Sequence, residues 1–186
     1  RQIQAEGLDV PVVLLAWDTR ELFDFQARKD TSAIERTFLW QGDARMLVSI
    51  VKSVEDWRNA EHDALSAGVQ VIILVEDNVR YYSSFLPVMY TELLHHSQRV
   101  IEEGLNLSQK ILRMRARPKI LLCTTFEEAW EYFMTYQEDV LGIISDIVAT
   151  LAARLLLDYG IEAERLAIVT PHRAQNNAIT QRLSQL

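Results

Sequence analysis

The sequence of 186 residues has one cysteine, six glycines, four prolines and no long apolar run. With Cys123 alone, neither an internal disulfide nor a CxxC pair for zinc or redox chemistry can form. Cys123 lies in an apolar, strand-like run, so we expect a buried, inert thiol that suits a reducing cytoplasm. No apolar run approaches the roughly 20 residues of a membrane-spanning helix, and no secretory signal is apparent. We therefore expect a cytoplasmic globular protein.

Basic residues are outnumbered by acidic ones. The chain has 19 Lys and Arg against 26 Asp and Glu, a formal net charge of -7. Nucleic-acid binding depends on clustered positive charge, so this balance argues against a broad nucleic-acid-binding surface. A phosphate-cradling GxxxxGK[ST] loop is absent, which excludes a complete P-loop enzyme. The densest basic cluster is expected to be a solvated helix end rather than a phosphate site: Lys110, Arg113, Arg115, Arg117 and Lys119.

Short apolar runs alternate with segments of helical spacing along the whole chain. The strand-like runs are VPVVLLA, IERTFLW, VQVIILV, KILLC, VLGIIS and LAIV. This alternation predicts an α/β fold with a doubly wound parallel sheet and helices on both of its faces. VQVIILV is apolar throughout, which is typical of a strand buried on both faces.

The helical segments predict where the chain has helices, a linker and a bend. Apolar spacing predicts a helix over residues 44–63, followed by a linker at 64–68. Residues 81–117 form the longest helical region, in which Pro87 and the sequence at 104–106 predict a bend or a helix pair. The apolar residues that recur at helical spacing in the first of these helices are Leu47, Ile50, Val51, Val54 and Trp57.

Acidic side chains follow two of the predicted strands. Glu76 and Asp77 come directly after VQVIILV, and Asp146 comes directly after VLGIIS. Ligands bind at the carboxyl ends of parallel strands, so these three carboxylates converge if the two strands are neighbours. Carboxylate oxygens suit Mg²⁺, and Asp146 can accept a phosphoryl group when a metal neutralises the incoming charge. The alternative is a solvated strand-to-loop turn without a cation.

The motifs around these acids resemble the receiver domains of two-component response regulators. ILVEDN at 73–78 resembles the acidic end of a receiver's first strand, and GIISD at 142–146 resembles its third strand. Over residues 56–146, LVEDNVRYYSSFLP and EGLNLSQKILRMRARPKILL resemble the receiver-like region that precedes a phosphoenolpyruvate/pyruvate-binding, dikinase-like module in some bacterial proteins. The resemblance implies a flavodoxin-like fold, Mg²⁺ held by Glu76, Asp77 and Asp146, phosphorylation at Asp146, and a kinase or dikinase-like module as protein partner.

Residues 10–63 resemble the back half of a preceding receiver-like unit, with two departures from an active receiver. Ala16 stands where the fourth strand normally ends in Thr or Ser, and Gln41 stands near where the fifth strand normally offers Lys. Without that Lys, no cation is at hand to pair with a phosphorylated aspartate. The resemblance therefore implies a regulatory pseudo-receiver that signals through protein contacts, not a self-contained enzyme.

After Ile147 the resemblance changes. Residues 148–186 resemble a segment of the second motor domain of superfamily 1 DNA/RNA helicases, with AIVTPHRAQ similar to a TP-aromatic-x-x-Q motif. As a helicase fragment, the alternative function, the chain would contact nucleic acid through Thr170, Arg173 and Gln175. In a receiver-like sheet, the same segment would supply the next strands, with Thr170 as the switch hydroxyl.

These assignments divide the chain into three segments. Residues 1–63 form the back half of a receiver-like unit, 69–147 form a front half with a long helical insertion, and 148–186 complete the sheet. One permuted domain, a strand-swapped pair of chains and a fusion all remain open. Apolar positions in the long helical region predict a homodimer or domain interface: Leu86, Met89, Leu93, Val100, Leu107, Ile111 and Met114.

Overall fold

A computed structural model describes residues 10–102 and 117–145, with the side chains of 99–102 excepted. Strands and helices alternate strictly in this part of the chain, which confirms the predicted α/β class. No helix in these ranges is both long and apolar enough to span a bilayer. The elements are β1 (Val13–Ala16), α1 (Thr19–Arg28), β2 (Arg36–Leu39), α2 (Arg45–Ala67), β3 (Val71–Val75), α3 (Val79–Glu102), β4 (Lys119–Cys123), α4 (Phe126–Tyr136) and β5 (Val140–Ser145).

The described strands form two sheets in which every pairing is parallel, as predicted. β1 pairs with β2, and β3 lies between β4 and β5 in the order β4-β3-β5. The described residues also divide into two compact units. The first unit contains the residues up to Glu55 together with Asn78–His96, and the second contains Asp56–Asp77 together with the residues from Ser97 onward.

Helix boundaries differ from the predicted ones at two places. α2 extends to Ala67, so the linker predicted at 64–68 is wrong for all but its last residue. Gly68 ends the helix with a φ of 62°, a left-handed conformation that glycine adopts without strain, and its N–H donates to the Ala64 carbonyl at 2.8 Å. α3 continues through Pro87 without a break, and the predicted break at 104–106 lies outside the described residues.

α2 does not bury all of the apolar side chains that mark its helical spacing. Leu47 and Val51 are 52% and 56% exposed. The buried stripe begins with the large apolar Met46 and otherwise consists of small or polar residues at helical spacing, namely Ser49 and Ser53 in the first unit and Asp56, Ala60 and Ala64 in the second. Small side chains let a helix backbone approach its neighbours closely, and a carboxylate is buried only where basic partners meet it.

In the first unit, α3 packs along β2. The Tyr82 hydroxyl donates to the Thr37 carbonyl at 2.6 Å, and the Leu39 N–H donates to Ser83 Oγ at 2.9 Å. The Tyr82 ring meets Phe38 edge to face, with centroids 5.8 Å apart, and burial raises the pKa of Tyr82 to about 12. Leu86, predicted at an interface, is fully buried and belongs to the core of this unit.

In the second unit, β3 and β4 are covered on both faces, as predicted for the strand VQVIILV, whereas β5 leaves Leu141 and Ile144 exposed. One face packs against α4 and the second half of α2 through Val71, Ile73, Val75, Leu121 and Cys123. Side chains that alternate with these, namely Leu74, Ile120 and Leu122, are also at most 4% exposed. Because both faces are covered, β3 and β4 hold their carboxyl ends in a fixed position.

A buried ion-pair cluster joins α2 to the start of β4 in the second unit. Asp56 is fully buried, and its carboxylate accepts two hydrogen bonds from the Arg117 guanidinium, at 2.5 and 2.9 Å. The same carboxylate accepts a third hydrogen bond, at 2.9 Å, from the Ile120 N–H. Lys119 pairs with the neighbouring carboxylate of Asp63 at 2.7 Å. These bonds supply the charge and the donors that a buried carboxylate needs.

This cluster corrects the interpretation of the basic residues near position 117. Arg117 and Lys119 are each 7% exposed and are bound to acidic side chains, so neither belongs to a solvated helix end. Lys110, Arg113 and Arg115 lie outside the described residues. The interpretation was wrong because the acidic partners of Arg117 and Lys119 lie more than 50 positions earlier in the chain and contact them only in the folded protein.

We expect Asp56→Ala to lower the free energy of unfolding by about 3–5 kcal/mol, because it leaves Arg117 buried without its anionic partner. Urea denaturation at pH 7 measures this loss. Asp77→Ala, which removes an exposed acid from the same unit, serves as the control and should change stability by less than about 0.5 kcal/mol. A loss below about 1 kcal/mol in Asp56→Ala contradicts the structural role of the cluster.

A second prediction concerns acid sensitivity. Burial acts to raise the pKa of Asp63, but hydrogen bonds from Lys119 and His62 outweigh it and hold that pKa below its ordinary value. A lowered carboxyl pKa stabilises the fold above the unfolded-state pKa of about 3.9, and this contribution is lost as pH falls through the folded-state pKa.

Asp63→Asn should therefore cost about 1 kcal/mol at pH 6, with the difference from the parent shrinking below about pH 4. Urea unfolding across this pH range measures both effects. Glu131→Gln, which neutralises an exposed acid on α4, is the matched control. A difference that stays constant with pH would show that the charge of Asp63 is not what stabilises the fold.

Candidate functional site

The two acids predicted as metal ligands follow the middle strand of the three-stranded sheet. Glu76 is 3% exposed, and its N–H donates to the Cys123 carbonyl at 3.0 Å, which continues the pairing of β3 and β4 by one residue. Asp77, the next residue, is exposed. The sheet therefore fixes the backbone of Glu76, while Asp77 is accessible to a ligand from solvent.

The neighbouring strand β5 ends level with β3. Val75 is the register partner of Ser145, the last residue of β5, and Ser145 is buried. Asp146 is next in sequence but lies outside the described residues, as do Thr170, Arg173 and Gln175. The two strands are thus neighbours, as the predicted site requires, and the roles of those four residues stay predictions.

The described acids are two of the three residues predicted to bind a cation. In residues 10–102 and 117–145, no group of three or more His, Cys, Asp or Glu side chains is placed to hold a metal ion. Glu76 and Asp77 offer carboxylate oxygens, the donor type that Mg²⁺ prefers. The two acids therefore suit Mg²⁺ chemically, and a ligand set completed by Asp146 remains a prediction.

A third acid near the strand ends has a structural role instead. Glu128 accepts a hydrogen bond from the Thr124 N–H at 3.0 Å, while its own N–H donates to the Thr125 hydroxyl at 3.2 Å. This reciprocal arrangement resembles a capping box and satisfies N–H groups at the start of α4. It holds the turn after β4 in place beside Glu76.

In the first unit, the positions that depart from an active receiver are also defined. Ala16 ends β1 and has no hydroxyl. Gln41 lies just beyond β2, where its side-chain amide donates to the Arg80 carbonyl at 2.7 Å and its side-chain carbonyl accepts from the Ser84 hydroxyl at 2.8 Å. Gln41 is therefore engaged with the first turns of α3 and carries no charge with which to pair a phosphoryl group.

Comparison with known proteins adds no identification. No protein-family model matches the chain, and no curated protein or solved structure matches it either. Function must therefore be inferred from the residues and their geometry.

The polar cluster around Asp56 was not predicted from the sequence. A weak signal exists, because Asp56 is in helical phase with Ala60 and Ala64, and this small-residue stripe is typical of a closely packed helix face. Its partner Arg117 gives no comparable signal, since it belongs to a run of basic residues. The cluster binds the amino end of β4, whereas Glu76 follows the strand ends, so it supports the site from the other end of the strand.

The thiol of Cys123 gives a direct test of this strand end. Cys123 is fully buried and its thiol contacts the Leu121 carbonyl at 3.7 Å, so we expect almost no reaction with a thiol reagent in the native protein. In denaturing urea, one thiol per chain should react. The variant Asp77→Cys places a second thiol at the exposed position just after Glu76. That thiol should react rapidly with the reagent in the native state. Rapid labelling of native Cys123 would contradict the packing of the β3 and β4 ends.

Proposed function

We propose that the chain is a receiver-like regulatory module that acts through protein contacts and binds Mg²⁺ through Glu76, Asp77 and Asp146. The observation that carries the proposal is the strand order of the second unit. A flavodoxin-like sheet has the order 2-1-3-4-5, so its first strand lies between the second and the third. Counting β3, β4 and β5 as strands one to three reproduces the order 2-1-3, and the acid pair follows strand one.

The first unit supports the same fold. β1 and β2 are adjacent and parallel, with α1 between them in sequence, as strands four and five of such a sheet are. Under this proposal β1 and β2, the strands of the back half, precede β3, β4 and β5, the strands of the front half, in the chain. A permuted domain and a strand-swapped pair both satisfy that order.

The chemistry of the proposed site follows from its carboxylates. Mg²⁺ would neutralise the acids and the charge of an incoming phosphoryl group. Asp146 would then form a phosphorus–oxygen bond while the bond to the donor's leaving carboxylate breaks. Gln41 stands near the position where a receiver normally carries Lys, but it is neutral and is hydrogen-bonded to α3. We therefore do not expect a phosphorylated Asp146 to signal through a salt bridge at this position.

A contact role has its own support in the first unit. Leu47, Val48 and Val51 lie on one side of α2 and are 52%, 49% and 56% exposed. Exposed apolar groups in proximity are typical of protein-binding surfaces. We propose that the partners are a kinase or dikinase-like module and a second copy of the chain.

Incubation with Mg²⁺ and an acyl phosphate, followed by intact-mass measurement, tests the proposal. We expect a fraction of the chains to gain one phosphoryl group, and Asp146→Asn to abolish this gain. Asp77→Asn should weaken Mg²⁺ binding by about ten-fold or more in calorimetry, because it removes one charged ligand. Asp139→Asn, which neutralises an acid before β5, is the control.

Two outcomes would overturn parts of the proposal. If the protein neither binds Mg²⁺ nor becomes phosphorylated, the proposed cation site is wrong and only the role in protein contacts remains. Salt-dependent binding of single-stranded nucleic acid that is lost on changing Arg173 and Gln175 to Ala would instead favour the helicase-fragment alternative.

A further inference from the structure

We propose that Glu128 is a positioning residue for the proposed cation site, because it holds the peptide group to which the backbone of Glu76 is bonded. Glu128 acts in this way on the acid pair Glu76 and Asp77, so its role rests on the proposed function. The link between them is the peptide group of Cys123 and Thr124, at the carboxyl end of β4.

This single peptide group is hydrogen-bonded on both of its sides. Its oxygen, the Cys123 carbonyl, accepts from the Glu76 N–H at 3.0 Å. Its N–H, which belongs to Thr124, donates to the Glu128 carboxylate at 3.0 Å. A peptide group is planar and rigid, so a bond that fixes its N–H also fixes its carbonyl. Glu128 therefore holds the acceptor to which the backbone of Glu76 is bonded.

The direction of the Thr124 N–H explains why a side chain has to bond it. Backbone groups alternate along β4 between the side that faces β3 and the outer side. The Lys119 N–H donates toward β3, and the Ile120 N–H points to the outer side, where Asp56 accepts from it. Thr124 is four positions after Ile120, so its N–H also points outward. In the described part of the chain, β4 has no strand neighbour on that side, and Glu128 supplies the acceptor instead.

Glu128 is itself held in place by α4. Its N–H donates to the hydroxyl of Thr125, the N-cap residue of this helix, at 3.2 Å. The helix packs against β3 and β4 through side chains that are at most 6% exposed, namely Ala129, Phe133 and Tyr136. The carboxylate is thus presented to the Thr124 N–H from a helix that is anchored in the core of the second unit.

The consequence for the proposed site concerns the placement of its ligands. Asp77 is exposed and comes directly after Glu76, so the position of its carboxylate depends on the backbone that this peptide group holds. Residues that orient metal ligands without touching the ion commonly change metal affinity by about ten-fold or more. Glu128 acts through hydrogen bonds in this arrangement, and not as a ligand.

The variant Glu128→Ala tests the inference, because it removes the acceptor of the Thr124 N–H and leaves both proposed ligands in place. Hydrogen exchange of the Glu76 amide, followed by NMR without Mg²⁺, should become about five-fold faster. The Lys119 amide, at the other end of β4, should exchange at the parent's rate. The affinity for Mg²⁺ in calorimetry should fall by about ten-fold.

Two further variants separate the hydrogen bond from the charge. Glu128→Gln keeps an oxygen that can accept from the Thr124 N–H but loses the charge, so both readouts should stay within about two-fold of the parent. Glu127→Ala is the matched control, because it removes an exposed acid next to Glu128 in the first turn of α4. It should leave the Glu76 exchange rate and the Mg²⁺ affinity unchanged.

An unchanged Glu76 exchange rate in Glu128→Ala overturns the inference, and so does an unchanged Mg²⁺ affinity. Equal losses in Glu128→Gln and Glu128→Ala also overturn it, because they would show that the charge acts and not the hydrogen bond. If Glu128→Ala does not fold by circular dichroism, Glu128→Asp, whose side chain is one carbon shorter, gives the same two readouts. A parent protein that binds no Mg²⁺ overturns the proposed cation site itself, and the role of Glu128 with it.

Discussion

The carboxylate of Asp56 is fully buried, and a charge in that position destabilises a fold unless it is paired and hydrogen-bonded. The Arg117 guanidinium donates two hydrogen bonds to this carboxylate, and the Ile120 N–H donates a third. This requirement fixes the amino end of β4 against α2. Because β4 is paired with β3 along its whole length, the position of Glu76 at the far end of the sheet depends on the same pairing.

Both sheets use side chains to close one outer edge. Asp56 accepts from the Ile120 N–H, which alternates with the Lys119 N–H that donates to Gln70 in the direction of β3. Tyr82 and Ser83 close β2 with neutral hydroxyls in the same manner. The two closures differ in kind, since opening β4 would leave buried charges unpaired, whereas opening β2 would unpair neutral hydroxyl and peptide groups and expose the packed rings of Phe38 and Tyr82.

The proposed regulatory role draws on each unit separately. The second unit has the strand order of a receiver's front half and the acid pair of the proposed cation site. In the first unit, the neutral Gln41 bonds α3 at the position near which a receiver carries Lys. A module of this kind controls a partner by presenting surfaces. The exposed apolar residues Leu47, Val48 and Val51 of α2 provide such a surface.

The sequence by itself determined the alternation of strands and helices, the bounds of β4 and β5, and the acids that follow β3, because apolar runs and their breaks are local properties. Only the tertiary structure decided the strand order, the face of α2 that is buried and the pairing of Arg117 and Lys119. Apolar spacing that included Leu47 and Val51 predicted the helix, yet these two side chains are exposed and a stripe containing Asp56 is buried. The choice between two faces of a helix depends on partners such as Arg117, 61 positions away, and no local pattern contains that information.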